Sequence, residues 1–478
     1  MNSTTIVIIT LVAYKMLLLF IGYWASKRVH SDGDFFIARD GENTGLGAWT
    51  AGLSYAASTS SAWVLLGYTG FVFSVGAKAL WLVPGIFGGY LLTWLVMGPR
   101  LNAETAEKKH ITMTDFMIAD TRDPWRARIA ALAAVLIVFC FVFYVAAQFQ
   151  AAGNAFTSVF GLGMLESVIL GAVIIVAYCL MGGFLAASIT DMLQAIVMLS
   201  ACVLVPTVAL AAAGGWGQVS EVLHAREGVS YFQLSGGAVG IMAAGAGLAL
   251  LGTGLGACGQ PQLLNRIMAA KDNKTRIQGA AITIGWGALM YTGLTLLAFT
   301  MRALAPGTPS EQIFFIAADQ YLPPVMAGLV LAAILSAVMS TVDSLLLASA
   351  SAISHDLNVA RFAPGRELLV GRLSMVALAI ISVLLTLIIP ATIFDRVLFS
   401  WVALGAAFGP ALLIRCVGWR VQGSHVFFAV LIGFFIAATA SNFGGLFADI
   451  CEKWLSWICG LCILVLGRQS GVALQKTP

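Results

Sequence analysis

Long apolar runs separated by short polar segments fill the chain from end to end. A helix needs about 20 apolar residues to cross the hydrocarbon core of a bilayer. About thirteen runs approach this length, so the pattern predicts an all-α membrane protein with about thirteen transmembrane helices. Basic residues cluster in alternate connections, for example Lys27 with Arg28, and Arg266 with Lys271 and Lys274. Because such loops stay in the cytoplasm, we expect the N-terminus outside and the C-terminus in the cytoplasm.

Composition supports this class of protein. The 478 residues are 60% hydrophobic and 10% charged, whereas soluble domains carry about 25% charged residues. The net charge of +4 is small and lies in short loops, which argues against nucleic-acid binding. Cys459 and Cys462 have the spacing of a redox pair, but they lie in an apolar run, which is typical of packing.

One run, Ala332–Ser351, carries a carboxylate and several hydroxyls. On a helix, Ser336, Ser340, Asp343 and Ser344 share one face, because their spacing is i, i+4, i+7 and i+8. An ionised Asp at the centre of a membrane helix costs about 2.5–3.5 kcal/mol on insertion scales. A cation bound by the carboxylate and the hydroxyls would offset this cost. The alternative is that the hydroxyls only bond to carbonyls one turn earlier or join helices; we favour the cation.

Two other runs are chemically unusual at their midpoints. Gly52–Trp63 is dense in Ser and Thr, and Gly252–Pro261 contains four glycines and a proline. Irregular backbone at membrane depth is tolerated only where it is buried or lines a cavity. The two runs lie five crossings apart and therefore run in opposite directions. Such a pair indicates the midplane site of a secondary transporter; the alternative is two glycine-rich packing helices.

The remaining motifs add one candidate and exclude others. Asp191 is a second acid near the start of an apolar run, where it is a ligand, a partner of the helix dipole or a carboxylate that reaches the membrane surface. Gly254-x-Gly256-x-x-Gly259 matches a dinucleotide fingerprint only formally, because no predicted strand precedes it. The sequence has no nucleophile–base set, so we expect no enzyme activity and no catalytic residues.

Four stretches make the chain resemble the sodium:solute symporter family, and most of all its sodium/proline symporter branch. They are GGFLAASITD at 182–191 with Gln194, GQPQ at 259–262 with Arg266, AVMST at 337–341, and GAAFGP at 405–410. The resemblance implies a LeuT-type core of two inverted five-helix repeats. The implied divisions are an extra helix and loop at 1–45, the first repeat at 46–213, an extracellular loop at 214–234, the second repeat at 235–416, and two further helices with a short tail at 417–478.

The resemblance also implies where ions and solute bind. The family's sodium site matches Ala57, Ser60, Ala337, Ser340 and Thr341. The second sodium site of some members matches Asp191, Ser340, Asp343 and Ser344, with a carboxylate at 343 where a hydroxyl often stands. The solute is expected among Ser58, Thr59, Trp63, Tyr144, Gln148, Thr253, Ala257, Gln260 and Trp401.

Three positions depart from the proline branch. Thr253 and Ala257 replace a Trp and a Tyr, and Thr59 replaces an Asp. Small residues should enlarge the solute pocket, and loss of the acid removes a charge partner. We therefore expect a solute other than proline alone, either a bulkier amino acid or an organic acid.

These observations predict sodium-coupled symport of a small organic solute by alternating access. Sodium, the solute and the lipid of the cell (inner) membrane are the expected partners, without nucleic acid or an obligatory protein partner. One alternative is a proton-coupled symporter that uses Asp343 or Asp191. Another is a transporter-like sensor that binds solute without net flux.

Overall fold

The computed structural model describes residues 3–26, 37, 44–180, 183–362 and 366–473. Lys27, Arg28 and Gly182, which entered the sequence predictions, lie outside the described residues. The α-helices are α1 (Ser3–Ser26), α2 (Ala48–Thr59), α3 (Thr69–Val75), α4 (Leu82–Leu91), α5 (Gly98–Lys108), α6 (Met113–Ile118), α7 (Trp125–Phe160), α8 (Met164–Cys179), α9 (Phe184–Ala212), α10 (Trp216–Glu227), α11 (Gly240–Leu251), α12 (Pro261–Met268), α13 (Asn273–Leu304), α14 (Ile313–Tyr321), α15 (Pro324–Ser351), α16 (Glu367–Ile388), α17 (Ile393–Val417), α18 (Gly423–Ala440), α19 (Leu446–Ile450) and α20 (Ser456–Leu466).

Shorter elements join several of these helices. The π-helical turns are Trp63–Tyr68, Leu92–Met97, Ala352–Asp356 and Cys451–Leu455. The 3-10 turns are Gly76–Trp81, Val229–Phe232, Gly252–Gly259, Ser310–Gln312 and Val359–Phe362. Strand β1 (Trp419–Val421) pairs antiparallel with β2 (Arg468–Ala473).

The apolar runs form membrane-length helices. Among the described residues, nine helices are long and apolar enough to cross a membrane, and Thr5–Ile21 and Met164–Cys179 are shorter apolar helices. The number differs from the predicted thirteen partly because Trp63–Lys108 joins parts of two predicted runs into one helical stretch. The segment 214–234, predicted as a loop, contains the helix Trp216–Glu227.

Helix α15 lies at the centre of the helix packing. Every residue from Val330 to Ser351 is buried. An ionisable residue within a membrane helix almost always faces the interior of a helix bundle, and α15 packs against α1, α7, α9 and α16. The hydroxyls and the carboxylate predicted on this helix are therefore turned towards protein.

A glycine segment, Gly252–Gly259, packs closely between α4 and α17. A Cβ atom on Gly254 would lie 1.7 Å from the carbonyl oxygen of Gly85, and one on Gly259 would lie 2.1 Å from that of Leu404. Small residues let helix backbones approach this closely in membranes. The glycines of the interrupted run thus fix the distance between three helices.

We expect Gly254→Ala to destabilise the protein by about 1–3 kcal/mol, because overpacking forces the backbones apart. The matched control is Gly285→Ala on α13, where a Cβ would meet no atom within 4 Å. The control should be neutral or slightly stabilising, by up to about 1 kcal/mol, since Ala is the better helix former. Thermal unfolding of both variants in detergent tests this; equal melting temperatures would contradict the packing.

Candidate cation and solute site

Helix α2 ends in the middle of the protein, as its Ser- and Thr-rich sequence predicted. Its C-cap residue, Ser60, has φ −95° and ψ 54°, outside the helical region. The amide groups beyond the break find side-chain partners: the N–H of Ala62 donates to Oε1 of Gln148 at 3.1 Å, and that of Trp63 donates to Oγ of Ser61 at 3.1 Å. These bonds replace the helical ladder, so the carbonyl groups at the end of α2 are free to face other partners.

The free carbonyls of α2 face two hydroxyls of α15. Ser340 Oγ lies 3.3 Å from the carbonyl oxygen of Ala57, and Thr341 Oγ1 lies 3.4 Å from that of Ser58. Both hydroxyls also approach the carbonyl oxygen of Ala337, at 3.2 and 2.9 Å. The two contacts to α2 are longer than typical O–H···O hydrogen bonds, which measure about 2.7–2.8 Å. The hydroxyls are thus held only weakly to α2.

This group of oxygen atoms fits a small hard cation. Ala57, Ala337, Ser340 and Thr341 are all 0% exposed, and Ser60 stands at the break itself. The carbonyl end of α2 carries the partial negative charge of the helix dipole. Unwound carbonyls and half-helix C-termini are the groups that coordinate sodium or protons in transporters with broken helices. Rotation of the two hydroxyls would turn their lone pairs towards an ion.

A second cluster surrounds Asp191. Its Oδ2 accepts hydrogen bonds from Arg266 Nη2 at 2.7 Å and from Ser54 Oγ at 2.8 Å. Ser344 Oγ accepts from the same Arg266 nitrogen at 2.6 Å. The sequence placed Arg266 in a basic loop, and this prediction is wrong: Arg266 is 1% exposed. Its only sequence signal was its place in the family motif after GQPQ.

Asp343 is buried next to this cluster. Its Oδ1 accepts a hydrogen bond from Ser344 Oγ at 3.1 Å, and its Oδ2 has no hydrogen-bond partner among the described residues. Asp343 interacts electrostatically with Asp191 and Arg266. The structure therefore gathers Asp191, Asp343 and Ser344 as predicted, but with a guanidinium group among them.

The second interrupted run is also broken. The glycine segment is followed by Gln260 in an extended conformation and then by α12. Gln260 Nε2 donates to the carbonyl oxygens of Gly256 at 3.2 Å and Trp401 at 3.0 Å. Trp401 Nε1 donates to the carbonyl oxygen of Thr253 at 2.8 Å. These bonds tie the break to α17.

A small cavity lies between the two breaks. It is lined by Thr59, Trp63, Ile86, Tyr90, Tyr144, Thr253, Tyr291, Val397, Leu398 and Trp401. Four of the predicted solute residues do not line this cavity. Ser58 faces Asp191 and Ser344 instead. The other three, which are buried in the surrounding structure, are Gln148, Ala257 and Gln260. The sequence missed Ile86, Tyr90, Tyr291, Val397 and Leu398, because aromatic and aliphatic residues in a membrane span look like packing residues.

Another group of potential metal ligands lies apart from this site. His355 Nε2 is 3.0 Å from Asp115 Oδ2, and Asp356 completes the group. Burial raises the pKa of Asp115, but hydrogen bonds from His355 and from the backbone amides of Ile111 and Thr112 lower it by a larger amount. The pKa of Asp115 therefore lies below its usual value. Asp115 also completes a capping box with Thr112 at the start of α6. Ion pairing and helix capping account for this group.

We expect Gln148→Leu to destabilise the protein by about 1–3 kcal/mol, because the buried amide of Ala62 loses its acceptor. Gln194→Leu is the matched control, since the side-chain amide of Gln194 is buried without a hydrogen-bond partner among the described residues. Thermal unfolding without added sodium or solute compares the two. A control that is as damaging as Gln148→Leu would contradict this role.

A family model and two named relatives match most of this chain. The family model described as "Sodium:solute symporter family" matches residues 35–433. The osmoregulated proline transporter OpuE of Bacillus subtilis is 32% identical, over 98% of this chain and 96% of its own length. The sodium/proline symporter of Escherichia coli is 29% identical, over 100% of this chain and 96% of its own length.

Solved structures show the same fold. A sodium-coupled sialic acid symporter in an outward-open state matches with a TM-score of 0.78 at 16% identity, covering 97% of this chain and 99% of its own. Mhp1, a nucleobase-cation-symport transporter, matches with a TM-score of 0.56 at 14% identity, over 90% and 92% of the two chains. The LeuT-type fold expected from the sequence is therefore confirmed. The chain belongs to the sodium:solute symporter family and is a membrane transporter that couples sodium to a small solute.

Proposed function

We propose that this protein carries a neutral or zwitterionic solute, an amino acid or a closely related compound, together with sodium by alternating access. The observation that carries the proposal is the position of the break in α2. Ala57 and Ser58 present their carbonyls to the hydroxyls of α15, while Thr59, the next residue, lines the cavity. Ion and solute thus bind to adjacent residues of one unwound segment.

Sodium would be held by the carbonyl oxygens of Ala57 and Ala337 and the hydroxyls of Ser340 and Thr341, with Ser60 at the break completing the set. Binding there fixes the end of α2, and Thr59 and Trp63 on either side of the break belong to the cavity lining. An ion that orders this segment raises the affinity for solute. By thermodynamic linkage, the solute raises the affinity for sodium by the same factor.

The chemistry of the cavity favours a solute without net charge. The described residues that line it include no carboxylate, lysine, arginine or histidine, and a charged solute would lie unpaired in a buried site. Thr253 Oγ1 and Trp63 Nε1 lack hydrogen-bond partners among the described residues, so both are free to bind a polar group. The two proline-transporting relatives support an amino acid over an organic acid.

Proline itself is a weaker candidate. The space beside Thr253 is bounded by Trp401, whose indole bonds to the Thr253 carbonyl. Trp401 therefore fills part of the space that the small side chain of Thr253 leaves. Thr253, Ala257 and Thr59, which stand where the proline branch has Trp, Tyr and Asp, support an amino acid other than proline alone.

The basic loops support a topology in a bacterial cell membrane with the N-terminus outside the cell and the C-terminus in the cytoplasm. The divisions at 45, 213, 234 and 416 then separate an N-terminal helix, two repeats with their connection, and two C-terminal helices. Proton coupling through Asp191 is disfavoured, because its carboxylate is paired with Arg266.

We expect the double variant Ser340→Ala with Thr341→Ala to weaken sodium binding roughly tenfold or more, which corresponds to about 1.4 kcal/mol. Thermal stabilisation of purified protein by sodium chloride, compared with choline chloride, measures this. Ser349→Ala is the matched control: its buried hydroxyl lies on the same helix but bonds to the carbonyl of Leu345. Unchanged stabilisation by sodium in the double variant would overturn the proposed site.

Neutral amino acids should stabilise the protein in sodium and much less in choline, whereas dicarboxylates should have no effect. A ligand at 100 times its Kd stabilises a protein by about 2.7 kcal/mol. A melting-temperature screen of both classes in the two salts tests this. Stabilisation by dicarboxylates alone would contradict the proposed solute class.

A further inference from the structure

The guanidinium group of Arg266 is bound from four helices at once. Its Nε donates to Ser54 Oγ on α2 at 2.7 Å. Its Nη2 donates to Asp191 Oδ2 on α9 at 2.7 Å and to Ser344 Oγ on α15 at 2.6 Å. Its Nη1 donates to the carbonyl oxygen of Gln262 on α12. All three nitrogen atoms are thus bonded, and the side chain is buried.

We propose that Arg266 is a tethered cation that occupies the position of a second sodium ion, so that the protein binds one sodium ion per transport cycle. The proposal rests on the proposed function, because it concerns the number of ions that accompany the solute.

The first argument concerns the donor atoms. Asp191 and Ser344 belong to the second sodium site implied by the family resemblance. In this structure the same Arg266 nitrogen lies within hydrogen-bonding distance of both. A sodium ion on these oxygens would lie beside the guanidinium, and buried like charges repel with little screening. The residues present therefore do not fit a second sodium ion.

The second argument concerns charge. The cluster contains two carboxylates, Asp191 and Asp343, and one guanidinium, Arg266. Ionised, these groups sum to −1. The proposed sodium site is adjacent, because Ser58 and Ser344 of the cluster both donate to the carbonyl oxygen of Ser340, and its one sodium ion brings the total to zero. A second sodium would leave a net positive charge in a buried site, which is costly. Asp343, the carboxylate in place of a hydroxyl, thus provides charge for the one mobile ion.

Ser58 connects the tethered cation to the mobile one. Its Oγ lies 3.1 Å from Ser344 Oγ, which is bonded to Arg266. Its carbonyl oxygen accepts from Thr341 Oγ1 at 3.4 Å, on the sodium side. Arg266 therefore anchors the same α2 segment that sodium orders.

The first test uses the unaltered full-length protein. Equilibrium binding of radioactive sodium to purified protein should saturate at one ion per chain with a Hill coefficient of about 1. Saturation at two ions per chain would overturn the tethered-cation proposal and leave sodium coupling intact. Absence of saturable sodium binding would instead overturn the proposed function, and this proposal with it.

The second test uses variants. In Arg266→Gln the cluster gains room and a charge of −2, so we expect two ions per chain and a Hill coefficient approaching 2. Arg266→Lys keeps the positive charge and should keep one ion. Arg276→Gln is the matched control, because Arg276 is also buried but bonds to the Trp94 carbonyl and to Asn273; it too should keep one ion. A folded Arg266→Gln protein that still binds one ion would overturn the proposal, and if that variant does not fold, the ion count of the unaltered protein decides.

Discussion

The structure depends on the rule that backbone hydrogen-bonding groups at membrane depth must find partners within the protein. Helix α2 loses its own backbone hydrogen bonds at the break, and nearby side chains replace them. Gln148 and Ser61 accept hydrogen bonds from the amides beyond the break. Among the described residues, the carbonyls of Ala57 and Ser58 before the break receive long contacts from Ser340 and Thr341. Weakly bonded carbonyls in a dry site are costly, which supports the proposal that a cation binds there.

Packing makes the break sustainable. Helix α15 is buried along its inner length, and the glycine segment brings α4 and α17 close to the second break. Both irregular segments therefore lie against rigid helices rather than lipid. In the proposed mechanism, the short unwound stretch becomes ordered when an ion binds, while the surrounding helices hold it in place. Coupling between ion and solute then needs no long pathway, because Ala57, Ser58 and Thr59 are consecutive residues.

Electrostatics in the second cluster follow a different principle. A buried carboxylate is stable only with a partner, and here the partner of Asp191 comes from α12, far along the chain. A covalently attached cation is always present, whereas a dissolved ion comes and goes with concentration. In the proposed arrangement, Arg266 neutralises one of the two buried carboxylates permanently. The transported sodium ion neutralises the other only while it is bound.

The sequence by itself determined the membrane class, the two broken helices, and the hydroxyl and carboxylate face of α15, because hydrophobic runs and clusters of Gly, Ser and Thr are local properties of the chain. The family motifs added the pairing of Ala57 with Ser340. Only the tertiary structure showed that Arg266 is buried against Asp191, and that Tyr90 and Tyr291 line the cavity. Charge pairs and cavity walls join residues from helices that are far apart in sequence. The pattern of residues along the chain does not show which helix faces pack against each other.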